Sequence, residues 1–143
     1  MPVNNFSVGR DIVLDVVTAS GPLRISKITG FTSSPQYDKR KIKGLDGTTD
    51  HLILPDCWEG TFDVERQNAD VDEFFAQTEA DYYAGQNIAN QTITETITEP
   101  NGGLSQYRYE GVQLSLDNAG DWKGDDTVKQ TVGFMAARRK KVV

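Results

Sequence analysis

The chain predicts a mainly β fold, a β-sandwich or partly open barrel of about six or seven antiparallel strands with one flanking helix. Two patterns carry this expectation. Apolar residues alternate with polar ones at period two through most of the sequence, and the runs are separated by turn residues such as Ser20-Gly21-Pro22 and Pro100-Asn101-Gly102-Gly103. Only the stretch from Asp70 to Gly85 departs from that period, with Val71, Phe74, Phe75, Thr78 and Tyr82 recurring at steps of three and four. With 143 residues and no internal repeat or linker, the whole of 1–143 reads as one domain.

Residues 1–9 are polar and read as an N-terminal arm. Asp11–Val17 is an alternating strand, with Ile12, Leu14 and Val16 on one face and both aspartates on the other. A turn leads to a second strand from Leu23 to about Phe31, with Leu23, Ile25 and Phe31 on one side, and these two should pair as a hairpin. Residues 32–56 then form a long extended excursion. Ser33-Ser34-Pro35 should break the strand, Asp38–Lys43 is strongly basic, Gly44–Thr49 looks like a flexible tip, and His51–Pro55 returns as an apolar run. A connection of this length is usually functional, and its mixture of Lys39, Arg40, Lys41 and Lys43, the tip residue Asp46, and Leu52, Ile53 and Leu54 suits a segment that lies on another molecule or another copy.

Trp58–Arg66 alternates clearly, with Trp58, Phe62 and Val64 inward and Glu59, Asp63 and Glu65 as an acidic row outward. In the helix at 70–85, Asp70 is placed to cap the first turn with Glu73 reaching back, and Gly85 to end the last one. Val71, Phe74, Phe75 and Tyr82 form the face expected to pack on the sheet. Ile88–Thr98 puts Thr92, Thr94, Thr96 and Thr98 on one face and Ile93, Glu95 and Ile97 on the other. In Leu104–Leu116 the phase changes between Tyr107/Tyr109 and Val112/Leu114/Leu116, so Gly111 reads as a β-bulge. Asp117–Asp126 is a polar loop, Thr127–Ala137 a last strand with Val128, Val132 and Phe134 inward, and 138–143 a basic tail, expected to be mobile unless it docks on a neighbour.

Composition excludes several classes of function. Twenty-one acidic and fifteen basic residues give a net charge of −6. Four of the positive charges sit at Arg138–Lys141, so residues 1–137 hold 11 basic against 21 acidic residues, a balance of −10. Such a body is a poor partner for nucleic-acid phosphates, and the basic cluster near Tyr37 lacks an aromatic platform. One cysteine excludes an internal disulfide framework, and no apolar run is long enough for a signal peptide or a membrane span. These features point to a reducing cytoplasm.

No catalytic constellation is visible. His51 and Cys57 could form a thiol–imidazole pair, but nothing supplies an orienting third group or an oxyanion hole. A metal set of Asp50, His51, Asp56 and Cys57 lacks ligand spacing, and the acidic loop at 117–126 lacks a closing bidentate glutamate. Catalytic, metal and cofactor sites are therefore all expected to be absent. A monomeric β-sandwich binding module, for carbohydrate for example, remains the alternative, using Trp58, Trp122, Tyr107 and Tyr109 as stacking surfaces.

The order of elements resembles the tail tube proteins of long-tailed bacteriophages, particularly those with contractile tails, and the inner tubes of phage-derived particles. Ile25–Phe31, the excursion ending near Pro55, and the strand Trp58–Arg66 feeding Asp70–Gly85 carry the likeness, which covers about residues 10–137. It implies a structural virion protein of the tail, assembled in the host cytoplasm, whose copies form hexameric rings stacked into a hollow tube that DNA traverses. It also implies a sheath outside, a baseplate or initiator and a tail terminator at the ends, a tape measure protein and passing DNA in the bore, and no membrane. Residues 32–56 would be the loop reaching the adjacent ring. Glu59, Asp63, Glu65 and, as another candidate, Glu95 would line the bore, where negative charge repels phosphate; six copies of a −6 chain would bring −36 to each ring.

Overall fold

Alternating sequence becomes strand almost throughout. The computed structural model describes residues 5–19, 21–23 and 27–142; the Met-Pro start of the arm, Ser20 in the first turn, Ile25 and Val143 lie outside the described residues. A short 3-10 turn, Gly9–Asp11, leads into β1 (Ile12–Thr18), β2 (Gly21–Leu23), β3 (Lys27–Lys43), β4 (Thr49–Glu65), α1 (Asp70–Tyr83), β5 (Gln91–Thr98), β6 (Leu104–Asn118), β7 (Lys129–Ala136) and β8 (Arg138–Lys141). All neighbours are antiparallel, in the order β2-β1-β5-β6-β7-β4-β3, with β8 also on β6.

This sheet does not close into a barrel; it folds over on itself at β6. Residues 104–112 of β6 pair with β5, and 107–110 also pair with β8, while 113–118 pair with β7. Gly111 stands at the change, with φ +64° and a shift of register against β5. It is the bulge that the phase change predicts. Ala137, between β7 and β8, matches it from the other strand by donating its N–H to the Glu110 carbonyl at 2.9 Å. The two halves then face each other across one core. Val16, Ile93 and Tyr109 come from one half, Phe62, Val64, Val132 and Phe134 from the other, and Val71 from the helix. Phe31 stacks on Phe134 at 5.8 Å, and Tyr109 meets Phe134 edge-on at 5.4 Å.

Several sequence expectations need correction. Among the described residues the first hairpin pairs Val16↔Leu23, Val17↔Pro22 and Thr18↔Gly21, and from Lys27 the chain pairs as β3 against β4 instead. Ser33-Ser34-Pro35 does not break β3; Pro35 pairs with Trp58 inside the ladder. A proline is tolerated there because β3 is the edge of the sheet, where one side of the backbone has no ladder to satisfy. Asp11 points inward and its Oδ2 accepts the Val8 N–H at 2.9 Å. The helix begins after Ala69 without a side-chain cap, and Asp70 has its own N–H bound by Asn68 Oδ1 at 3.1 Å. Gly85 ends the helix as expected, at φ +80°, with Gly85 N–H on the Tyr82 carbonyl and Gln86 N–H on that of Asp81.

Of the predicted helix face, Val71 is buried and Phe75 packs on the core, but Tyr82 is 62% exposed. Among the described residues, Val71, Asp72 and Phe75 of the helix's first two turns hold it to the sheet. The Asp72 carboxylate receives Arg66 Nε at 2.9 Å and Gln130 Nε2 at 2.8 Å.

The basic tail is part of the sheet. Arg139 on β8 lies over Tyr107, 3.7 Å from the ring centroid, and its Nη2 meets Glu95 Oε1 at 3.3 Å. The other Glu95 oxygen accepts the Tyr109 hydroxyl at 2.7 Å, and Ser33 Oγ stands 3.0 Å from that hydroxyl. Glu95 is 4% exposed, so it is an internal partner and not part of an outward acidic row. Burial raises the Tyr109 pKa from 10.0 to about 12, with Glu95 adding to the rise against the opposing pull of Ser33 and Arg139.

Two outcomes follow. Gly111→Ala should lower stability by about 1–3 kcal/mol in urea unfolding, because alanine resists positive φ and its Cβ would stand 3.0 Å from that of Ala137. On the alkaline side, the tyrosine whose pKa rises on folding contributes fully below pH 10.0 and loses that contribution as pH climbs towards about 12. Unfolding midpoints measured through this window should fall, and should fall less steeply in Tyr109→Phe. A parallel fall in both chains would contradict the assignment.

Candidate functional site

Two surfaces of the described chain are not spent on its own fold. The first is the far part of the β3–β4 hairpin. Its ladder runs unbroken from Tyr37↔Pro55 to Lys43↔Thr49, beyond the last residue of β4 that pairs with β7, Trp58. Directly paired residues share a face, so the register sorts the side chains. Lys39/Ile53, Lys41/His51 and Lys43/Thr49 share one face, where every charge is positive. Asp38/Leu54, Arg40/Leu52 and Ile42/Asp50 share the other, which is apolar with charges of both signs; Arg40 Nε contacts Asp38 Oδ2 at 3.3 Å. Ile42, Leu52, Ile53 and Leu54 are all exposed, Ile53 by 57%.

The tip is ordered by its own chemistry. Gly44 N–H binds the Thr48 carbonyl at 2.8 Å, and Gly47 supplies φ +89°. Asp46 Oδ1 accepts both the Thr48 hydroxyl, at 2.7 Å, and its N–H, at 3.0 Å. These two bonds hold the Asp46 carboxyl below its usual pKa, the hydroxyl contributing most. Leu45 stands fully in solvent at the apex.

The second surface is the outward face of the β3-β4-β7-β6 half. Glu59, Thr61, Asp63 and Glu65 run along β4 beside Ser34 and Thr32 of β3. Met135, Gly133, Thr131 and Lys129 of β7 lie on the other side. Asp117, which the sequence suggests for a loop, is still within β6 and joins this face beside Ser115. The result is a polar, acid-rich sheet surface. Asp63 accepts the Thr131 hydroxyl at 2.8 Å, and Asp117 that of Ser115 at 2.9 Å.

Other candidates do not come together. His51 and Cys57 lie on one extended strand six residues apart, about 20 Å at strand rise. Burial, with Asp56 and Glu59 nearby, raises the Cys57 pKa and so disfavours the thiolate. Among the described residues no three His, Cys, Asp or Glu side chains converge as a metal site would require. The aromatic platform is dispersed too: Tyr109 is buried, Trp58 and Tyr107 are covered by Arg139, and Trp122 stands apart beside Arg66.

No protein-family model matches the chain, and neither does any curated protein. Solved structures do share its fold. The sheath/tube terminator of an extracellular contractile injection system, PVC, aligns with a TM-score of 0.66 at 12% identity, covering 100% of this chain and 96% of that one. A chain of the PVC sheath–tube complex gives 0.59 at 14% identity over 90% and 87%. One from the tail of an empty gene transfer agent particle, refined with C6 symmetry, gives 0.58 at 11% identity over 96% and 100%. The resemblance read from the order of elements therefore holds in three dimensions: this chain has the fold found in tube and terminator assemblies of contractile injection systems and phage-like tails.

Proposed function

We propose that the chain is a structural subunit of a phage-type tail, whose copies form hexameric rings that stack into a hollow tube. The observation that carries this reading is the projecting hairpin. A two-stranded ribbon alone in water is marginally stable, yet this one carries Ile42, Leu52, Ile53 and Leu54, and Leu45 at its tip, exposed away from its own body. It needs a second surface, and a stacked ring supplies one. Lys39, Arg40, Lys41, Lys43, Asp46, Leu52, Ile53 and Leu54 are then the contacts between rings. Sheet edges such as β3, open along its whole outer side, are covered by neighbours within the ring.

In this arrangement the acid-rich face with Glu59, Asp63, Glu65 and Asp117 lines the bore. Repeated around a ring, it repels DNA phosphate and lets the polymer slide. A sheath outside, a baseplate or initiator and a terminator at the ends, and a tape measure protein inside are the partners of such a tube. The place is the virion tail, after assembly in the host cytoplasm. No catalysis is required of the chain.

Negative-stain electron microscopy of the concentrated protein over a range of salt tests the reading. Rings and tubes of uniform width are expected. Deleting residues 38–50 and closing the ribbon with a short turn should leave the body folded by circular dichroism while abolishing tubes; Cys57→Ser should leave them intact. Single particles from the unmodified chain under every condition would overturn the proposal.

A further inference from the structure

The hairpin has a matching surface on the same chain. Beside the helix lies a groove of about 680 Å³, walled on one side by α1 and on the other by the β1–β2 turn. The helix presents Asp70, Glu73, Phe74, Gln77 and Asp81 to it, spacings of three and four that make one continuous stripe distinct from the core-facing Val71 and Phe75. Pro22 and Leu23 supply an apolar wall opposite. No cationic side chain lines it among the described residues. The one-signed face of the hairpin has the complementary composition: three lysines with Ile53 and His51 among them.

The dimensions also agree. Lys39, Lys41 and Lys43 occupy alternate positions of a strand and span about 14 Å. Asp70 to Asp81 spans about 16 Å along the helix. A chain cannot fill its own groove. Leu23 of β2 and Ile28 of β3 line one cavity, and Lys39 lies eleven positions further along β3, about 36 Å at strand rise.

We infer that the groove between α1 and the β1–β2 turn of one copy receives the lysine face of the hairpin of the next copy. The inference rests on the tube reading and supplies its contact. Different patches meet on the two partners, so the contact is heterologous and propagates from copy to copy. Salt weakens it, since the matched charges lie at accessible surface.

The test uses the full chain and three variants: Lys39→Glu/Lys41→Glu/Lys43→Glu in the hairpin, Glu73→Lys/Asp81→Lys in the groove, and both sets together. Sedimentation velocity and electron microscopy give the assembled fraction. Each reversal alone should reduce assembly at least about tenfold, and the combined chain, whose charges are complementary again, should recover it. Asp81→Lys alone is the folding control: it places a cation at the negative end of the helix, where it favours the helix, and should still weaken assembly. Groove variants that assemble like the parent would overturn this contact while leaving the tube reading in place. A parent chain that never assembles would overturn both.

Discussion

Five strands meet at one buried carboxylate. Glu95 enters from β5, binds Arg139 of β8 and the Tyr109 hydroxyl of β6, and through that hydroxyl reaches Ser33 of β3, with Trp58 of β4 beside the guanidinium. A buried acid without a partner is costly, and Glu95 is 4% exposed while Arg139 is only partly buried. Arg139 Nη2 reaches Glu95 only when the C-terminal strand is in register on β6, with Arg139 opposite Tyr109. The cluster thus makes the last strand a condition of the core instead of an appendage to it. It also ties the two halves of the sheet together on the side where they would otherwise splay.

That tie explains which parts of the fold were legible in the sequence. Period-two alternation names faces correctly wherever a strand has one wet side: Val16, Phe62, Val64, Val132 and Phe134 are all inward as their spacing requires. The bulge at Gly111 was legible for the same reason, since a phase change leaves a trace in the pattern. Glu95 looks outward in the sequence because charge suggests exposure, yet it is buried. The spacing already set it with Ile93 and Ile97 on one face; the missing information was a cation forty-four residues later in the chain. A run of four basic residues looks like a solvated tail until its second member has an acid and an aromatic ring to lie on.

The helix failed differently. Its stripe of Phe74, Phe75 and Tyr82 is real as a period, but a helix of fourteen residues has two usable sides here. Val71, Asp72 and Phe75 hold the body. Phe74 and the carboxylates of Asp70, Glu73 and Asp81 look into the groove instead. Sequence period alone cannot divide one amphipathic element between its own core and an external surface. The hairpin shows the converse. Its basic arm, glycine tip and apolar return were visible as a unit suited to another molecule, but its two faces emerge only from the register, because Lys39 and Ile53 are opposite one another only in this ladder.

The distribution of charge then has a physical logic within the proposed tube. Acid is concentrated on the outward face of one sheet half and along the groove side of α1, while the hairpin carries a face with no acid at all. Such an arrangement is directional. Two hairpins repel, two grooves repel, and only hairpin against groove is attractive, so copies add with one polarity. A symmetric pair that buried both hairpins against each other would set lysine against lysine and stop growth. The exposed leucines and isoleucines supply contact area, but apolar area alone does not select between these arrangements. In the proposed tube charge would do the selecting, and the acidic sheet face would be the one left uncovered after stacking to meet whatever passes through the bore.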